Sequence, residues 1–251
     1  MDNAASFVPL STHLPAQELD LVLLDLPGHG HSAWLPVGAE YTLSSAIAIL
    51  LQVADGLGWQ RFTLLGHSMG GGIASLLAAA APERVEALIA IEALGALAEP
   101  VENTATRLRD AVASARTLAE RPLRVFPSME MPVRARMMAN QLTEPAARLL
   151  VERGVRVVEG GYSWCSDPRL TLPTAIRMTE AQIDVLLASI ACPAQAIFAT
   201  PAQPYFPEAL RDHRVAMMRD ARLQLLPGTH HVHMEMPEAV AAVIDDFLDH
   251  N

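Results

Sequence analysis

Residues 64–72 read L-L-G-H-S-M-G-G-G, a lone serine set among glycines where an apolar run gives way to small residues. Within this stretch Gly66 to Gly70, G-H-S-M-G, has the G-x-S-x-G spacing of a nucleophile elbow, after an apolar run and before a helix-forming one. Such a turn holds its serine in a strained backbone conformation, and its glycines let strand and helix approach without a Cβ clash. Ser68 is therefore expected to stand exposed at the carboxyl end of a strand. A glycine-rich strand-to-helix turn could instead cradle a phosphate, but the P-loop lysine and the G-x-G-x-x-G spacing are both lacking.

A serine hydroxyl is a weak nucleophile until a base takes its proton. Of nine histidines, His230, His231 and His233 follow the last apolar run, in L-P-G-T-H-H-V-H-M-E-M-P-E. A loop there can carry an imidazole back over the sheet edge to the elbow. The same three could ligate a metal, although no other histidine or carboxylate run completes such a site. His29 and His31, in L-P-G-H-G-H-S, are expected in structural or wall roles beside the site mouth. His67 lies in the elbow itself and is expected to pack, hydrogen-bond or meet substrate there.

These residues need a scaffold, and the hydropathy pattern supplies one. D-L-V-L-L-D-L from Asp20, Arg61 to Gly66 and Val85 to Ala93 read as strands buried on both faces. Between them Thr42 to Leu57 places Ile47, Leu50, Leu51 and Ala54 on one helical face, and Met69 to Ala81 reads as a small-residue helix. Strand, helix, strand, helix, strand implies parallel pairing with right-handed crossovers. From about Gly95 to Ala191 the chain turns rich in arginine, methionine and helix-period leucine, with no clear buried strand. Within this part Thr179 opens a T-x-x-Q capping box before an apolar helix through Ile190. The α/β pattern resumes with Pro193 to Thr200 and Arg222 to Leu226 as strands and Pro237 to His250 as a closing helix. The expected organisation is an α/β core at 1–94 and 192–251, interrupted by a helical cap at 95–191.

With 251 residues, 51% of them hydrophobic, the chain is long enough for one large core. A net charge of −10 argues against surfaces built for nucleic acid or anionic membranes. All 18 basic residues are arginine, which reads as coding bias of a GC-rich bacterial genome rather than mechanism. Cys165 and Cys192 are too few for a disulfide framework. The absence of an 18-residue apolar run and of a signal-peptide pattern in M-D-N-A-A-S-F-V-P-L leads to the expectation of a soluble, cytoplasmic protein.

Four segments, D-L-P-G-H-G-H-S, G-H-S-M-G-G, G-Y-S-W-C-S-D-P-R-L and P-G-T-H-H-V-H-M-E-M-P-E, together resemble the α/β-hydrolase family in its capped serine-hydrolase-like and epoxide-hydrolase-like branch, over essentially the whole chain. The resemblance implies that the base lies seven residues before Pro237, which is His230. It also implies an aspartate after the strand preceding the last one, but that loop reads F-A-T-P-A-Q-P-Y-F-P, with Ala202 near the expected position. Some members carry the acid after the strand that follows the nucleophile helix, where this chain reads L-I-A-I-E-A-L-G and offers Glu92. A buried glutamate is costly unless paired, and orienting an imidazole supplies the pairing. The alternative for Glu92 is a salt-bridged structural role.

An oxyanion hole needs at least two donors, and the elbow supplies the backbone N–H of Met69. In the family the second comes from an H-G-x loop before a helix, and M-D-N-A-A-S-F-V-P-L resembles that helix. The sequence as given is thus expected to lack the first hairpin of the fold and one central strand, through an upstream start or a truncated relative. The resemblance implies a serine hydrolase of esters or small acyl compounds, without a cofactor or metal. Met129, Met131, Met137, Met138, Tyr162, Trp164 and Met178 are expected to line an apolar substrate pocket or to form cap core. Epoxide and haloalkane hydrolysis are disfavoured because those relatives place aspartate where Ser68 stands. Carbon–carbon bond hydrolysis and a non-catalytic ligand-binding scaffold remain open.

Overall fold

The computed structural model describes residues 1–15, 19–118 and 123–250; the other positions, which fall in the expected core and cap spans, lie outside the described residues. A 3-10 turn at Ala4–Phe7 leads into the short α1 (Val8–Ser11). After a long connection come α2 (Leu43–Gly56), β1 (Phe62–His67), α3 (Met69–Ala80) and β2 (Val85–Ile91). The middle of the chain forms α4 (Thr104–Leu118), β3 (Val125–Phe126), α5 (Glu130–Asn140), α6 (Glu144–Gly154), β4 (Val155–Val158) and β5 (Gly161–Trp164). It closes with α7 (Glu180–Ala188), β6 (Ala194–Thr200), α8 (Glu208–Met217), β7 (Ala221–Pro227), α9 (Val232–Glu235) and α10 (Pro237–Asp249). Among the described residues no helix is long and apolar enough to cross a membrane.

Two compact units result. One comprises Leu43–Thr104, Ile176–Val232 and Glu238–Asn251, the other Met1–Thr42, Ala105–Ala175 and His233–Pro237. The span expected as a cap is therefore shared: 105–175 belongs to the second unit, while α7 belongs to the first.

The first unit is built on a four-stranded sheet of order β1-β2-β6-β7, with every pair parallel. Its two inner strands, apolar but for Glu86 in β2 and for Gln195 and Thr200 in β6, are buried almost throughout, and its two edge strands only in part. The α3 helix can lie tightly on the sheet because its first turns are glycine. A Cβ on Gly66 would fall 2.4 Å from the Gly70 carbonyl oxygen, and one on Gly72 would fall 2.9 Å from that of Gly95. Gly70, by contrast, faces open space. The close approach expected of the elbow thus falls on Gly66, Gly71 and Gly72 rather than on the motif's second glycine.

In the second unit the expected strand from Asp20 to Leu26 is absent. A strand exists through its ladder, and no described strand pairs with this run; Leu21, Val22 and Leu24 stay 37–43% exposed. Within the span expected as a helical cap with no clear buried strand, β3, β5 and β4 form a small antiparallel sheet. Strands of two to four residues, half in solvent, leave no periodic apolar trace for a sequence reading to find. Helices α5 and α6 pack around Val133, Ala147, Leu150 and Val151. Two buried aspartates brace the irregular remainder. Asp25 accepts from the Ala4 N–H at 2.7 Å, the His31 N–H at 2.8 Å and Arg153 at 2.8 Å. Asp167 accepts from the Tyr41 hydroxyl at 2.7 Å and from the backbone and guanidinium of Arg169.

Candidate active site

Because all strands of the larger sheet run parallel, their carboxyl ends share one edge, where open α/β sheets place their ligands. Ser68 follows β1 and Glu92 follows β2, each by one residue, and His230 lies in the turn after β7. The backbone of each acidic or nucleophilic position is pinned by extending the ladder: the Ser68 N–H donates to the Ile91 carbonyl at 2.8 Å, and the Glu92 N–H to that of Ile197 at 2.9 Å. Both residues sit in the left-handed region, Ser68 at φ 54° and Glu92 at φ 58°. A side chain held there is strained, at about 1–3 kcal/mol, and must be over-determined by its surroundings.

The three side chains form one line of hydrogen bonds. Ser68 Oγ lies 2.9 Å from His230 Nε2, and His230 Nδ1 lies 3.1 Å from Glu92 Oε2. Glu92 is only 4% exposed, and its other oxygen accepts the Ala199 N–H. An Nδ1–H directed at a carboxylate leaves the Nε2 lone pair facing the serine hydroxyl, the tautomer that a general base requires. The first bond of α3 runs from the Gly72 N–H to the Ser68 carbonyl at 3.0 Å, so the Met69 N–H lies ahead of the helical ladder at the positive end of the dipole.

His67, expected among the substrate contacts, is 8% exposed and directs Nε2 to the His230 carbonyl at 2.6 Å. It thereby ties the end of β1 to the loop carrying the imidazole. His231 packs edge-on against the His230 ring at a centroid distance of 5.3 Å. His233 belongs to the second unit and is buried there against Phe7 of that same unit, 5.1 Å between ring centroids. None of these late histidines belongs to the group with metal-ligand spacing found among the described residues, which is Glu180, Asp184 and His213. There Glu180 is already held bidentately by Arg214, at 2.7 and 2.8 Å, and Asp184 by His213 at 2.9 Å.

Of the apolar residues expected in a pocket, Trp164 and Met137 pack on the core cluster of the second unit, and Met138 is 85% exposed. The loop after β6, F-A-T-P-A-Q-P-Y-F-P, holds no carboxylate. It delivers Tyr205, whose hydroxyl lies 3.0 Å from His230 Nδ1. Burial, and then the charge of Glu92, push this phenol up to about 12, so it stays protonated through the neutral range.

A model of the alpha/beta hydrolase fold family matches residues 2–148. The chain belongs to the α/β-hydrolase fold family. A serine hydrolase-like protein of Danio rerio is 31% identical over 98% of this chain and 78% of its own length. A probable serine hydrolase of Drosophila melanogaster is 30% identical, with the same coverage of both chains. Among solved structures, the hypothetical protein PA1622 from Pseudomonas aeruginosa PAO1 superposes with a TM-score of 0.92 at 36% identity, over 99% of this chain and 88% of that one. The expected fold class, a mostly parallel sheet flanked by helices, is the fold of this α/β hydrolase, and the family and its relatives support a hydrolase.

Proposed function

We propose that this α/β hydrolase is a serine hydrolase that cleaves an ester or other small acyl substrate through an acyl-enzyme. The observation that carries the reading is the unbroken line from Ser68 Oγ through His230 to Glu92, at 2.9 and 3.1 Å, with the serine on a strained turn at the sheet's carboxyl edge. His230 Nε2 takes the hydroxyl proton as Ser68 Oγ bonds to the carbonyl carbon, and Glu92 offsets the charge gained by the imidazole. The oxyanion then forms within reach of the Met69 N–H. Collapse expels the leaving group, which takes the proton from His230. Water, deprotonated by the same imidazole, attacks the acyl carbon and frees Ser68. The names of the relatives, serine hydrolase-like protein and probable serine hydrolase, agree with this chemistry.

The test is covalent labelling by a fluorophosphonate probe, with the modified residue located by mass spectrometry. Labelling of Ser68 in the wild type and its disappearance in Ser68→Ala are expected. A folded wild type that takes no label would instead favour a ligand-binding scaffold without catalysis.

A further inference from the structure

The imidazole of His230 has four neighbours besides Ser68. Glu92 meets Nδ1, the His67 ring lies 4.7 Å away between centroids, the His231 ring 5.3 Å and the Tyr205 ring 5.9 Å at 78°. Glu92 is the one charged group among them. His67 and His231 are buried, whereas Tyr205 is 52% exposed and stands on the solvent side.

The Tyr205 hydroxyl is 3.0 Å from Nδ1 and also 3.5 Å from Nε2. An atom in the ring plane at both distances would overlap Cε1, so the oxygen lies over the face of the ring. Its phenol remains neutral beside Glu92, and its oxygen keeps lone-pair density for whatever lies next to it. A ring that becomes positive on taking the serine proton is stabilised by such an oxygen, and a hydroxyl seated over the face resists rotation of the ring away from Ser68 and Glu92.

We propose that Tyr205 is a positioning residue for His230: from the loop that lacks the family's usual aspartate, its hydroxyl oxygen holds the imidazole between Ser68 and Glu92 and favours its charged form. This rests on the serine-hydrolase reading above, and it adds a second acid-side element to a site whose carboxylate comes from β2. Tyr205→Phe keeps the ring and removes the oxygen, so it isolates the contact.

The experiment is the rate of fluorophosphonate labelling against probe concentration and pH for the wild type, Tyr205→Phe and Ser68→Ala. Tyr205→Phe should label about three- to tenfold more slowly at saturating probe, the range expected for one hydrogen-bond-strength contact, with half-saturation unchanged. The acid limb of its rate profile should move to lower pH, because the cation that inactivates the base has lost a stabilising oxygen. A rate and profile equal to wild type would overturn the assignment while leaving the serine-hydrolase reading intact. A raised half-saturation with unchanged maximal rate would overturn it in favour of ligand contact. A wild type that does not label at all would remove both readings together.

Discussion

Glu92 in one unit and Asp25 in the other are carboxylates withdrawn from water, and they meet that cost differently. Asp25 is satisfied by donors of fixed geometry: two backbone N–H groups at 2.7 and 2.8 Å and the Arg153 guanidinium. Burial by itself would raise its pKa, but the Ala4 and His31 amides and then Arg153 outweigh this and hold the carboxyl below its ordinary range. Asp167 is treated in the same way, with burial opposed by Arg169 and the Tyr41 hydroxyl. Glu92 has one backbone donor, from Ala199, and its remaining oxygen faces an imidazole that can change its charge. A carboxylate surrounded by permanent donors braces a turn. One that shares its burial with a titratable ring is available for chemistry.

Substitutions that separate rate from stability sharpen this contrast. The largest effect is expected for Glu92→Gln, which keeps an oxygen for the Ala199 amide but cannot offset an imidazolium. Labelling and hydrolysis should fall by about 10³- to 10⁴-fold, with the melting temperature little changed. A rate within tenfold of wild type would make Glu92 a second structural brace like Asp25. Next in size, Asp25→Ala should cost about 3 kcal/mol of stability, read from denaturant midpoints, because it strands two backbone donors and a guanidinium. The Arg153 side chain is 36% exposed, which keeps the figure at the low end of the range for broken buried pairs. Equal midpoints for variant and wild type would show that Asp25 braces nothing.

The smallest effect is expected in acid. The folded pKa values of Asp25 and Asp167 are depressed, so their contribution is fully present above the unfolded carboxylate pKa of about 4 and is lost as pH falls through the folded values. Stability should decline below roughly pH 4, and Asp25→Asn should flatten that decline. A wild-type curve and a variant curve that run parallel through this range would count against the assignment.

The contrast also separates what was legible in the chain from what was not. Ser68 was readable because the elbow is local: five residues carry its spacing, and the apolar run before it and the small-residue run after it announce strand and helix. His230 and Glu92 were readable as positions relative to strand ends. The Asp25 and Asp167 braces left no such signal, since their donors come from residues as far away as Arg153 and Tyr41. Tyr205 left no signal either: nothing in its loop marks a tyrosine for an imidazole, and the hydroxyl's target lies 25 residues further on.

The sequence by itself determined the strand–helix–strand order of β1, α3 and β2, the parallel pairing of the larger sheet and the strand end on which each of the three aligned side chains would lie. Periodicity and turn chemistry act over a few residues, and parallel crossovers follow from them. Tertiary structure alone decided that D-L-V-L-L-D-L would not be a strand, that three short segments of the middle region would pair, and that Tyr205 would sit over the face of His230. Each of those outcomes depends on a partner distant in sequence: a ladder needs its neighbouring strand, and a hydroxyl finds a ring only after both loops have closed on the same sheet edge.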